Sequence, residues 1–165
     1  MSETETPKSI SDYASQAVEY VRRALGVEVE YDSDTLPLVD HYLGTVPSDQ
    51  LDAATLVITT IGAYFGEVVR RRLGGRWELV DDDPGSWRVI LPIGVSFAPA
   101  AIVLAAIVRE DSADAELKIP SVLRPYATSA LERMGEVTEE EYYSLCGRLD
   151  TLEHLHAVLV AVAAD

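Results

Sequence analysis

The chain reads as a helix-rich α+β single domain in which a central buried helix packs beside a small antiparallel sheet of two or three strands. Three observations predict this. Apolar residues recur at three- and four-residue spacing through most of the 165 residues, with capping residues before the runs and glycines after them. One run, Leu51 to Leu73, is almost apolar all round between Ala53 and Phe65, which in a water-soluble chain places other elements on several of its sides. Two short runs rich in β-branched and aromatic residues flank Asp81-Asp82-Asp83-Pro84-Gly85-Ser86, a composition suited to a hairpin loop.

Taken in order, residues 1–10 have neither the basic region nor the apolar core of a secretory signal and read as a disordered N-terminal tail, leaving 11–165 as the domain. Ser11 stands where an N-cap would, opening a helix from Asp12 to Leu25 that carries Tyr13, Ala14, Ala17, Val18 and Val21 and stops at Gly26. Val27, Val29 and Tyr31 alternate with Glu28 and Glu30, the period of a half-buried strand. Ser33 or Asp34 caps a short helix bearing Leu36, Leu38, Val39, Tyr42 and Leu43, with Pro37 in its first turn and Gly44 at its end. Ser48 and Asp49 cap the central helix, and Gly74-Gly75 stops it. Within it, Gly62 and Gly66 lie four apart on one face, where missing side chains admit a neighbouring backbone.

Trp77–Val80 and Trp87–Leu91 then pair around Pro84-Gly85, and Gly94–Phe97 adds a third strand. Pro99 opens an apolar helix from Ala98 to Arg109, followed by an acidic loop from Glu110 to Pro120. A helix from Val122 to Met134 accepts Pro125 in its first turn and closes at Gly135. Thr138 and Glu141 form a capping box that opens one long final helix, with a seam through Tyr142, Leu145, Leu149, Leu152, His156, Leu159 and Ala163. Its last turns are apolar on every side, so either the fold or a second copy of the chain covers them.

Charge narrows the function classes. Asp and Glu number 28 against 13 Lys and Arg, for a formal charge of −15, which repels nucleic acid and anionic membrane surfaces and favours a basic protein as partner. Cys146 is the single cysteine, so no internal disulfide forms and a reducing compartment suits the chain. Its longest apolar runs, Pro99 to Val108 and Ala157 to Ala164, fall short of the roughly 20 residues of a membrane span. The expected location is the cytoplasm.

Candidate sites are few. Glu67 has Arg70 at i+3 and Arg71 at i+4, the spacings at which helical side chains meet, and predicts a structural ion pair; the competing reading is a carboxylate and guanidinium gripping a small molecule in a cleft beside Trp77. His154 and His156 point about 200° apart on a helix and cannot share a metal, whereas Asp150 and His154 share a face and predict a surface ion pair. His156 falls on the apolar seam as a hydrogen-bonded core residue. Cys146 lacks elbow glycines, and His154 is two turns away, leaving His41 as its one candidate base; a packing role follows. Asp81, Asp82 and Asp83 lack the ligand spacing of a calcium loop. No phosphate loop, HExxH or GxSxG occurs, so neither a metal nor a cofactor is expected.

The stretch Ile61–Trp77, with Gly-Ala-Tyr-Phe-Gly-Glu followed by Leu-Gly-Gly-Arg-Trp, resembles the core motif of small bacterial proteins classed as domains of unknown function. That resemblance implies no activity for any residue. In size and charge the chain is also similar to immunity proteins that neutralise toxins. The expected function is therefore a non-enzymatic, immunity-like module that engages a basic protein through Asp81, Asp82, Asp83, Glu139, Glu140 and Glu141. Alternatives are the small-molecule protein or enzyme built on Glu67, and a homodimeric scaffold joined through the C-terminal helix.

Overall fold

The computed structural model describes residues 6–79 and 81–164, and shows a helix-rich α+β domain with one three-stranded antiparallel sheet. Its first helix, α1 (Lys8–Leu25), begins one turn earlier than Ser11 suggests. Ile10, fully buried, extends the Ala14, Ala17, Val21 stripe by one i,i+4 step, and the Ser11 amide closes the turn on the Pro7 carbonyl at 3.0 Å. Residues 8–10, expected in the tail, are thus helical, while residues 1–5 lie outside the described part. Gly26 ends α1 in the left-handed region at φ 71°, its amide reaching the Arg22 carbonyl at 2.8 Å.

Residues 27–31 do not form the expected strand. Val29 is buried between exposed Glu28 and Glu30, so the period is real, but the backbone is satisfied by side chains instead of a ladder. The Glu30 amide donates to Thr35 Oγ1 at 2.8 Å, and its carbonyl accepts from Thr35 Oγ1 and from the buried Tyr64 hydroxyl. Helix α2 (Leu36–Leu43) follows with Pro37 in its first turn. Asp32, not Ser33 or Asp34, organises its entry, Oδ1 accepting from the Asp34 and Thr35 amides.

Helix α3 (Leu51–Leu73) is the central helix, but its buried part is displaced from the sequence expectation. Every residue from Thr60 to Val69 is buried, whereas Thr55 and Leu56 are exposed. The cause is packing: α1 lies along α3, and α4 (Pro99–Val108) crosses it at Gly62. A methyl group on Gly62 would sit 2.8 Å from the Ala100 Cα, so the two backbones touch only because that side chain is absent.

Strands β1 (Arg76–Glu78), β2 (Arg88–Ile90) and β3 (Ser96–Phe97) form the sheet in that order. Trp77 pairs with Val89, and Val89 with Phe97, so these three share one face. Phe97 meets Phe65 of α3 edge-on at 6.1 Å between ring centres, which seats that face on the central helix. Arg88 fastens the outer strand pair, donating to Ser96 Oγ and O at 3.1 and 3.0 Å.

Beyond α4, a bridge joins Lys118 to Ser96, and α5 (Arg124–Arg133) carries Pro125 in its first turn. The long final helix is in fact two, α6 (Glu139–Tyr143) and α7 (Leu145–Ala163). Thr138 does cap α6, accepting from the Glu141 amide at 3.1 Å, but Ser144 is extended (ψ 151°) and caps α7 afresh, accepting from Gly147 at 2.9 Å. Asp40 of α2 adds a tertiary cap, accepting from the Leu145 and Cys146 amides at 2.7 and 3.1 Å. The sharp bend requires Gly147, where a methyl carbon would lie 1.9 Å from the Glu141 carbonyl oxygen.

Candidate functional site

Glu67 lies on the buried face of α3, 1 % exposed, and a carboxylate there must be paired or protonated. It is paired by protein groups on both oxygens. Oε1 accepts from Thr6 Oγ1 at 2.6 Å, Arg70 Nη2 at 2.9 Å and Arg71 Nε at 3.0 Å. Oε2 accepts from Arg70 Nε at 2.7 Å and Trp77 Nε1 at 2.8 Å. The expected Glu67–Arg70–Arg71 cluster is therefore present, with Arg70 chelating bidentately from one turn away.

Two further partners complete the cluster, Trp77, which the sequence already placed beside it, and Thr6, which it did not. Trp77 reaches Glu67 because Gly66 has no side chain: a methyl there would stand 2.3 Å from the indole Cη2. Thr6 sits in the segment expected to be tail, and Arg70 Nη2 also holds its hydroxyl at 3.0 Å. One carboxylate thus ties the N-terminal segment, α3 and β1 together. Burial alone would raise the pKa of Glu67; hydrogen bonds from Arg70, Thr6 and Trp77, with the Arg70 charge, outweigh it and hold the group at about 2 against an ordinary 4.5. Arg71 also covers the Tyr31 ring at 4.3 Å. The cleft beside Trp77 holds about 10 Å³, the lower limit of what a single water needs (roughly 10–15 Å³).

The remaining candidates separate. Asp81 and Asp83 fold their own loop: Asp81 Oδ1 accepts from the Asp83 amide at 2.8 Å and Ser86 Oγ at 2.7 Å, and Asp83 Oδ1 from the Gly85 amide at 3.0 Å. These bonds lower the Asp81 pKa, Ser86 first. Asp82 is exposed, as are Glu139, Glu140 and Glu141 in the first turn of α6. The two acidic triplets lie toward opposite ends of α4, since Pro84 shares a cleft with Pro99 and Ala100 while Glu140 shares a cavity with Ala106 to Arg109.

His154 does not pair with Asp150; its Nε2 lies 3.2 Å from the Ala130 carbonyl, tying α7 to α5. His156 is half-buried, and its Nδ1, expected to be hydrogen-bonded, has no protein partner; burial lowers its pKa. No hydrogen bond joins Cys146 to His41, so the structure shows no nucleophile–base pair there. Burial and then the neighbouring Asp40 carboxylate push the Cys146 thiol up to about 12. No group of three or more His, Cys, Asp or Glu among the described residues is arranged to hold a metal ion, and none of their helices is long and apolar enough to cross a membrane. No protein-family model, curated protein or solved structure matches this chain.

Proposed function

We propose that this chain is a non-enzymatic cytoplasmic module, immunity-like in size and charge, that engages a basic protein through its exposed carboxylates. One observation supports this above the rest: Asp81, Asp82, Asp83, Glu139, Glu140 and Glu141 are all exposed, and none takes part in an ion pair among the described residues. Their field is left uncompensated and is free to steer a cationic surface. Val137 and Tyr142, 51 % and 43 % exposed, flank the second triplet and supply apolar contact. A partner touching both triplets must span the ten residues of α4, about 15 Å of helix.

The reading in which Glu67 grips a small molecule has less support, because five protein donors occupy its oxygens and the space beside Trp77 is about 10 Å³. Homodimer formation is the second reading, favoured by the end of α7, where Val160 is 44 % exposed next to exposed Ala161 and Ala163. Affinity capture from the native cell at low and high salt tests the first. Basic proteins should be retained at low salt, released by 0.5 M salt, and lost with E139Q/E140Q/E141Q; an empty capture, or one enriched only in acidic proteins, sinks the proposal. Mass measured by light scattering decides the dimer, since a monomer at high concentration removes it.

A further inference from the structure

Among the described residues, Arg148 is the arginine whose buried nitrogens make no hydrogen bond. These atoms are Nε and Nη2, in the first turn of α7, and Arg148 joins no ion pair among the described residues. Its contact is with Tyr142, whose ring centre lies 4.9 Å from the guanidinium carbon. Buried donors of a charged group are almost always satisfied, so Nε and Nη2 together form a donor site suited to an acceptor.

Arg148 also lines a cavity of about 690 Å³ between α5, the α6–α7 bend and residues 111–119. That volume is in the range of small-molecule sites, roughly 300–1,000 Å³. The walls are largely apolar, from Leu117, Ile119, Leu131, Met134 and Val137. Leu131, Val137 and Tyr142 are among the few large hydrophobic side chains the domain leaves exposed, and all three face this cavity. An apolar chamber with one unsatisfied cation is the arrangement that recognises an amphipathic anion.

We propose that this cavity binds a small monocarboxylate with an apolar body, its carboxylate held by Arg148. Tyr142 is the movable cover: it is 43 % exposed, and a 2.9 Å bond from its hydroxyl to exposed Asp111 holds it over the guanidinium. Turning the ring aside is the movement by which Nε and Nη2, buried with the ring in place, would be reached from the cavity. Asp111, Glu116, Glu141 and Asp150 also line the cavity and are exposed, and the Arg148 charge offsets their repulsion for one bound carboxylate. They set a specificity: one carboxylate reaches the buried cation, and a second on the same ligand would be left among four like charges.

Titration calorimetry of the full chain with octanoate, 1-octanol and octanedioate (suberate) tests this. Octanoate should bind saturably at one site, with octanol and octanedioate each at least tenfold weaker. R148M, which keeps the apolar stem, should lose octanoate affinity at least tenfold and retain the wild-type melting temperature. Equal binding of octanol, unchanged affinity in R148M, or no saturable octanoate binding overturns the proposal. Should R148M not fold, amide shift mapping of the wild type decides: shifts at Leu131, Met134, Val137 and Arg148 support the site, and shifts elsewhere reject it.

Discussion

Replacing Glu67 by Gln removes the charge of the buried cluster while keeping its shape. The amide nitrogen must then face either the Arg70 Nε–H and Trp77 Nε1–H, or the Thr6, Arg70 Nη2 and Arg71 donors, so one donor set meets another donor. Arg70, its side chain 11 % exposed, loses both of its bonds to the Glu67 carboxylate. Two routes give the magnitude. A carboxyl held at about 2 instead of 4.5 is worth about 3 kcal/mol at neutral pH, and breaking a buried pair from one side costs roughly 3–5 kcal/mol.

The expected loss for E67Q is thus about 3 kcal/mol, a fall in Tm of roughly 6–12 °C for a domain of this size. The folded pKa is depressed, so the stabilisation is complete above the unfolded pKa and is lost as pH falls from about 4.5 through about 2. Urea denaturation of wild type and E67Q from pH 7 to pH 2 should therefore show a gap of about 3 kcal/mol that closes across that window. A gap below about 1 kcal/mol at pH 7, or one that does not change with pH, would refute the reasoning, since either outcome means the charge is not what the cluster stabilises.

Other perturbations probe the contacts around this cluster. G66A should destabilise by about 2 kcal/mol or more despite its better helix propensity, because the new methyl stands 2.3 Å from the Trp77 ring; thermal unfolding that is unchanged or improved would contradict the close approach. D40A removes the tertiary cap of α7 and should cost about 1–2 kcal/mol, with faster hydrogen exchange at Leu145 and Cys146, whose amides it accepts. Cys146, its thiol at about 12, should stay protonated and alkylate slowly at pH 8 in the folded chain, then react quickly in urea. Equal rates in the two states would show that burial does not control it.

Much of the architecture was legible because its signals are local. Pro99 at the start and Pro125 in the first turn locate α4 and α5 within two residues, and Pro84-Gly85 centres the hairpin. Signals that depend on a distant partner misled. The alternation at Val27 to Tyr31 is a period without a ladder, since no strand among the described residues pairs with it. The seam from Tyr142 onward continues through Ser144, yet the chain breaks there because Asp40, more than a hundred residues earlier, offers its carboxylate to the new helix start.

The sequence by itself determined the fold class, the central helix and the pairing of Glu67 with Arg70 and Arg71, because each follows from periodicity or from i,i+3 and i,i+4 spacing on one element. Only the tertiary structure decided that Thr6 joins the Glu67 cluster and Trp77 hydrogen-bonds its carboxylate, that Thr60 to Val69 is the buried stretch of α3, and that Arg148 Nε and Nη2 lack a hydrogen-bond acceptor beside an apolar cavity. Burial and hydrogen-bond satisfaction are properties of what surrounds a side chain. Residues far apart in the chain supply those surroundings, and no local spacing encodes them.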